Sequence, residues 1–563
     1  MSDNINLPVK GQVLFTQVWD FSLTDDNDLQ MSTPDIRLQR SRGSFLSPQF
    51  ILGLIIAAAA IRISWLGGRS LWYDELYTVW ASKLPIKSAI REAAASGHPP
   101  LYYLLGHFWF AIYSSGDVWA RLLPWGAGVI TVGVVYLIGK ELFDRNTGLW
   151  ACMLVAFSPV LVWYSREATS YSWLVFLSVV FFWLIVRSAK RGGFLNWSGY
   201  VIAGVAACMI YYLGPILILA GWPVYWLLQN RKRGEWKWWL AGQAGLVAAA
   251  LVISLMGQAK LASRWLVLSW PSPGLFLRGL LQIPVVFISG DWIINDLNYG
   301  ASVLGLPGIV IFLLALAAVM GALAVIIFSR STRQGFISRE AAAVAIFAFL
   351  LLIGPIMADA VMGRLPAARF YLWAAPPLSL LAAVALASAP RRFGLLAGIA
   401  VLAVLLGLTV TELKFDDNKV GDWRALMATV SANRRQNDLL YCFPLHMCTV
   451  AASFYLPEPM PLAGGFPAID SDSIFFAAKG VPWNGYRSGY FTGSGAQLFS
   501  WTQAQERIAA DVAGYSRVWL VDSDNSYGGS ASTSLRLQTL EKNWRLVGEW
   551  DFPGNMLLLF VHK

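Results

Sequence analysis

Charge is what this 563-residue chain has least of: 13% of its residues are Asp, Glu, Lys or Arg, where a soluble domain carries about 25%. That shortage excludes an ordinary soluble protein. With 56% hydrophobic residues and a mean hydropathy of +0.53, the chain reads as polytopic, with room for one extramembrane domain. Its net charge of +10 comes without a basic stripe or a recognition module, so nucleic acid is not an expected partner. No internal repeat and no low-complexity tract is present. No cleavable signal peptide is evident. The first 44 residues are polar, with acids at Asp20, Asp25, Asp26 and Asp28 and a basic cluster at Arg37, Arg40 and Arg42. That pattern predicts a disordered cytoplasmic tail over 1–45 and an uncleaved first span.

Cysteine is scarce too, at four residues. Cys152 and Cys208 fall inside apolar runs and read as small packing residues. Cys442 and Cys448 lie in the polar C-terminal part, where an oxidising compartment would favour a disulfide. Free thiols rank second, and a zinc site with His446 last, because three candidates on one short loop are a weak signal.

What is abundant is aromatic and apolar. The 27 Trp and 20 Tyr suit interfacial belts. Apolar runs long enough to span occur near 47–66, 119–139, 147–165, 170–187, 195–212, 214–229, 238–257, 301–329, 341–359, 370–389 and 393–412. Basic clusters fall between alternate runs, at Lys140/Arg145, Arg187/Lys190/Arg191, Arg231/Lys232/Arg233/Lys237, Arg330/Arg333/Arg339 and Arg391/Arg392. The positive-inside rule puts that side in the cytoplasm. The run 100–113 is too short to cross and would reverse every later cluster if counted, so it is predicted to lie on the outer surface. About eleven spans result, with the N-terminus inside and the C-terminus outside.

Three outer segments follow: 67–118; 258–300, with Arg264, Arg278, Asp291 and Asp296; and 360–369, with Arg364 and Arg369. Beyond about Lys414 the composition turns polar. Strands are predicted at 437–442 and 516–522, helices at 421–435 and 502–513, and a hairpin over 544–562. The alternation predicts a small α/β domain over 413–563, outside the membrane.

Chemistry concentrates in the first outer segment. Leu71-Trp72-Tyr73-Asp74-Glu75-Leu76-Tyr77 sets two carboxylates among aromatics beside a span, and ionisable groups there usually mark function. A positioned carboxylate can take the proton of an attacking hydroxyl. The alternative is a helix start, with Asp74 as N-cap and Glu75 favouring the positive helix end. His98-Pro99-Pro100 follows in the same segment. Glu167, after Arg166, returns an acid to the same side, where it could position an acceptor or help hold a divalent metal; an ion pair with Arg166 or another base is the alternative. Arg369 suits a lipid phosphate, through bidentate contacts that never lose their proton, or it snorkels to the headgroups. Lys83, Arg121 and Arg364 are weaker candidates for the same work.

These motifs, LWYDELYT, HPPLYYLL, DVWARLLPW, SPVLVWYSREATSY and AARFYLWAAPPL, occur in the order of a known family. The chain resembles the GT-C-fold glycosyltransferases, in particular bacterial relatives of the protein O-mannosyltransferases (glycosyltransferase family 39) and of the lipid A aminoarabinose transferase, over about 45–410. The resemblance implies transfer of a sugar from a polyprenyl-phosphate monosaccharide at the outer membrane face, with inversion. It matches Asp74 to the catalytic acid of the first loop, Glu167 to the second acidic position, Arg369 to a donor-phosphate arginine and His98 to the start of the Pro-Pro motif. Two departures stand out. Arg166-Glu167-Ala168-Thr169-Ser170-Tyr171 lacks the second arginine of the family pattern, with Arg166 as a stand-in, and Arg369-Phe370-Tyr371 shifts the tyrosine by one residue.

The expected architecture is therefore a multi-pass α-helical GT-C domain over 46–412, with its catalytic loop at 67–118, plus the C-terminal α/β domain. Asp74 and Glu167 are the expected catalytic pair. Glu75, Lys83, His98, Arg121, Arg369 and Tyr371 are the expected substrate contacts. Glu75 and His98 could instead shape the loop or bind a divalent metal. The expected partners are a lipid-linked sugar donor, membrane lipids and a glycan, lipid or protein acceptor. A lipid or sugar transporter is the rival class, but such proteins tend to place their sites at the midplane between repeated halves, and here the charges gather at one face.

Overall fold

The computed structural model describes residues 48–95, 98–114, 116–229, 235–261, isolated positions between 273 and 287, 338–362, 368–414, 421–443, 445–467, 473–477, 496–522 and 537–563. The predicted tail over 1–45, the span at 301–329, Arg364 and the four charged residues named in 258–300 lie outside this set.

The membrane part runs through α1 (Pro48–Ile63), the short α2 (Tyr73–Lys83) and α3 (Ile86–Ala95), α4 (Leu101–Ile112), α5 (Asp117–Leu142), α6 (Arg145–Ala156), α7 (Pro159–Tyr164), α8 (Tyr171–Arg191), α9 (Phe194–Ile210), α10 (Pro215–Leu228), α11 (Glu235–Leu261), α12 (Arg339–Met362), α13 (Ala375–Ser388) and α14 (Arg391–Lys414). Among the described residues, α5, α8 and most of α11, α12 and α14 are long and apolar enough to cross a membrane. α4 has 12 residues, about 18 Å of helix against a hydrocarbon core of about 30 Å, and it packs on α2 and α3.

Two predicted spans are broken. The run 147–165 is α6 and α7, separated at Phe157 and Ser158, with Pro159 in the first helical turn. A break in apolar surroundings leaves carbonyls that cost several kcal/mol each if unpaired. Arg62 on α1 donates to Ala156 O at 2.7 Å and Val155 O at 3.0 Å, and Thr409 donates to Phe157 O at 3.0 Å. The run 370–389 opens with two 3-10 turns, Ala368–Phe370 and Leu372–Ala374, before α13. The second break carries Arg369, and α7 leads from the first into the loop of Glu167.

The C-terminal domain contains α15 (Trp423–Asn433), α16 (Leu445–Tyr455) and α17 (Trp501–Val512). Its sheet is built from β1 (Asp438–Phe443), β2 (Leu462–Pro467), β3 (Ser473–Ala477), β4 (Ala496–Ser500), β5 (Arg517–Asp522), β6 (Trp544–Phe552) and β7 (Asn555–His562). The strand order is β4-β3-β2-β1-β5-β7-β6. β1 is parallel to β2 and β5, and the outer pairings are antiparallel. β1 and β5 are buried at every position, as central strands covered on both faces must be. Alternation along β1 divides the core. Leu439, Tyr441 and Phe443 face Ala504 and Ile508 of α17. Leu440 and Cys442 face α15 and α16, in one cluster with Leu71, Leu76, Val79 and Ala168 from the membrane part. Each large apolar side chain buried there contributes about 2 kcal/mol. A Cys442–Cys448 disulfide ties β1 to α16.

Candidate active site

The adjacent acids Asp74 and Glu75 open α2, and the helix turns them about 100° apart. Glu75 points inward and is fully buried. Arg121, one turn into α5, grips it through Nε to Oε1 at 2.8 Å and Nη2 to Oε2 at 2.7 Å. Ala168 N donates to Oε1 at 2.8 Å, and Trp72 N to Oε2 at 3.2 Å. Burial alone would raise the carboxyl pKa. The Arg121 charge and hydrogen bonds, with Arg69 and the Ala168 amide, outweigh it and hold the pKa at about 2. Arg121 also donates to the carbonyls of Leu66, Arg69 and Ser70.

These contacts correct the expectation that Glu75 and Arg121 face substrate. They knot three pieces together: α2, the segment 66–70 and the loop after α7. Of the alternatives the sequence left open for Asp74 and Glu75, the helix-start reading holds for Glu75, which caps the amide of Trp72. Glu75 does not fit a metal ligand either, because its oxygens already accept from two guanidinium nitrogens and two amides. Among the described residues no group of three His, Cys, Asp or Glu is arranged to hold a metal.

Asp74 points outward. Its carboxylate lies 3.8 Å from Nη1 of Arg369, with the two side chains 40% and 39% exposed. Residues 295 apart in the chain thus meet at one solvent-accessible spot. A long, half-exposed ion pair contributes at most about 1 kcal/mol, so stability does not account for the arrangement. Arg369 is steadied by the ring of Phe370, 5.3 Å from its guanidinium carbon, and Phe370 stacks near Tyr211 at the end of α9.

Glu167 is fully buried next to Ala168, so the Glu75 bond to the Ala168 amide ties its loop to α2. It forms an ion pair with Arg69, at 4.0 Å. Arg69 lies over the Trp163 ring at 5.0 Å. Arg166 donates to Ser64 O and Trp65 O, which bolts its loop to the end of α1. Gly128 permits the close approach of α5, since a Cβ there would sit 2.5 Å from Cβ of Ser165. Arg69 was missed from the sequence. The available signal was a basic residue on the outer side, five positions before Asp74, against the positive-inside bias.

The other candidates have these surroundings. Lys83 lies nine residues along α2, about 13 Å by helix rise, between the rings of Phe110 at 5.6 Å and Phe454 at 4.9 Å. Burial lowers its pKa. Tyr371 is fully buried and donates to Asp359 at 2.7 Å. His98 is exposed at the entrance to α4, its ring 6.3 Å from that of Tyr103.

Residues 97–257 match the family model described as dolichyl-phosphate-mannose-protein mannosyltransferase. No curated protein matches. Among solved structures, ArnT from Cupriavidus metallidurans in the apo state is similar over 91% of this chain and 98% of that one, with a TM-score of 0.54 at 11% identity. The same protein bound to undecaprenyl phosphate gives 0.52 at 13% identity, with the same coverage. At such identity the likeness is one of fold. The chain is an integral membrane protein of GT-C fold, as the motif resemblance implied, with a C-terminal sheet domain.

Proposed function

We propose that this chain is a membrane glycosyltransferase that moves a sugar from a polyprenyl-phosphate monosaccharide to a hydroxyl acceptor, with inversion, at the outer face of a bacterial inner membrane. The acceptor class is a glycolipid, lipopolysaccharide, polysaccharide or protein. The topology that goes with this reading is about eleven spans, with the N-terminus cytoplasmic and the C-terminal domain periplasmic.

The meeting of Asp74 and Arg369 carries the reading. The reaction needs a base for the acceptor and a cation for the leaving group at one accessible site. Arg369 is displaced from Asp74 onto the donor phosphate, where bidentate, charge-assisted bonds hold the group as its negative charge grows. Asp74 is thereby released to accept the acceptor's proton. The acceptor oxygen bonds to the anomeric carbon, the bond from that carbon to the phosphate oxygen breaks, and polyprenyl phosphate leaves. Glu167, paired with Arg69, orients the acceptor side. Glu75 and Arg121 hold the frame on which both acids are mounted.

The test is purified protein in liposomes with a panel of hexosyl and pentosyl undecaprenyl phosphates, read by mass spectrometry for transfer or donor hydrolysis. Turnover by the wild-type protein and none by Asp74→Asn supports the reading. Lipid movement across the bilayer with no bond broken in any donor would favour the transporter class instead.

A further inference from the structure

The segment 66–71, which carries Arg69 and leads into Asp74, is held from two directions. From the membrane side, Arg121 takes the carbonyls of Leu66, Arg69 and Ser70. From the other side, the C-terminal domain contacts the same segment. Arg424 donates to Gly67 O at 3.1 Å and Gly68 O at 2.9 Å. Ser70 donates to Gly421 O at 3.0 Å. The Tyr455 hydroxyl accepts from Leu71 N at 2.7 Å and donates to Asp117 Oδ1 at 3.0 Å, while Arg424 holds Asp117 Oδ2 at 2.9 Å. Asp117 begins α5, the helix that brings Arg121 to Glu75 one turn later.

We infer that the C-terminal domain is part of the catalytic machinery, with Tyr455 and Arg424 as positioning residues that set the approach of Asp74 and Arg69 to the reacting atoms. The inference rests on the proposed transferase reading and deepens it. An acceptor-docking module would need only to sit nearby. This domain instead supplies partners to three backbone groups, at Gly67, Gly68 and Leu71, and to the Ser70 hydroxyl, in the segment that enters the base's helix. The apolar cluster shared by Leu71 and Leu76 with Trp423 and Leu440 makes the joint rigid, so a change at Tyr455 is transmitted rather than absorbed. Misplacing a reacting group by about 1 Å can cost about 100-fold in rate.

The experiment compares full-length Tyr455→Phe, Arg424→Met and Asp74→Asn in liposomes, using the undecaprenyl-phosphate sugar that the wild-type protein turns over fastest. Tyr455→Phe keeps the ring in the core. Arg424 has a side chain 42% exposed, so its replacement opens no cavity if the tyrosine variant folds poorly. The expected result is a fall in kcat of about 10- to 100-fold for each, donor KM within about two-fold, and a displaced acid limb in the pH profile of kcat. A kcat per folded molecule within about two-fold of wild type for both variants, with Asp74→Asn inactive, overturns the positioning role alone. Full activity of Asp74→Asn overturns the transferase assignment of Asp74 and this inference with it.

Discussion

Asp74 and Glu75 are neighbours in sequence with opposite surroundings: Asp74 is 40% exposed beside Arg369, and Glu75 is sealed against Arg121 with no exposure. One turn-step of α2 separates a group able to exchange protons with substrate from one locked as an anion. The two carboxylates should therefore fail in different ways when altered.

Asp74→Asn should abolish transfer while leaving folding intact, because its ion pair with Arg369 is long and wet. Thermal melting within about 2 °C of wild type, alongside loss of product by mass spectrometry, is the expected combination. A loss of product explained by unfolding would remove the distinction.

Glu75→Gln leaves Arg121 buried without its counter-charge, and breaking a buried pair costs about 3–5 kcal/mol. A lower melting temperature and poor recovery from detergent are expected. Arg121→Met should behave similarly, and the double variant should be less damaged than the sum of the two.

Acid should reach the same pair. The folded pKa of Glu75, about 2, lies below the ordinary glutamate value of about 4.3. Its contribution is therefore complete above about pH 4.3 and declines as pH falls toward 2. Melting curves between pH 5 and pH 2 should fall more steeply for the wild type than for Glu75→Gln, which has no carboxylate to protonate.

Arg369→Lys keeps the charge and loses the bidentate geometry. Donor KM should rise about 10-fold or more, the equivalent of one charge-assisted hydrogen bond, and Arg369→Ala should be worse. Titration with undecaprenyl phosphate as a product inhibitor would show the same ranking; equal inhibition of wild type and Arg369→Ala would count against a phosphate role.

Removing the disulfide by Cys442→Ser should lower the stability of the C-terminal domain by about 2 kcal/mol. Because α16 also carries Tyr455, activity should fall with it. Reduction of the wild-type protein followed by alkylation of both thiols should reproduce the effect.

Much of this was legible along the chain. Apolar runs, their basic flanks and the polar C-terminal part identify a membrane protein with an appended domain, because span length and charge placement answer to the bilayer itself. The strands at Asp438–Phe443 and Arg517–Asp522 and the closing hairpin show in local composition. So do the acidic pair at Asp74 and the isolated Arg369, since charge beside an apolar run is conspicuous.

What the linear order withheld was which charges meet. Arg69, which the sequence did not single out, pairs with Glu167, and Arg121 turns to Glu75. Tyr371 faces Asp359 inside the protein, and Lys83 lies among the rings of Phe110 and Phe454. The break at Phe157 is tolerated because the distant groups Arg62 and Thr409 satisfy the exposed carbonyls. Composition and hydropathy determined the membrane architecture and marked the chemically costly residues. Long-range packing decided which of those residues became frame and which stayed accessible, because a buried charge must find its partner wherever the fold brings one, and sequence distance places no limit on that choice.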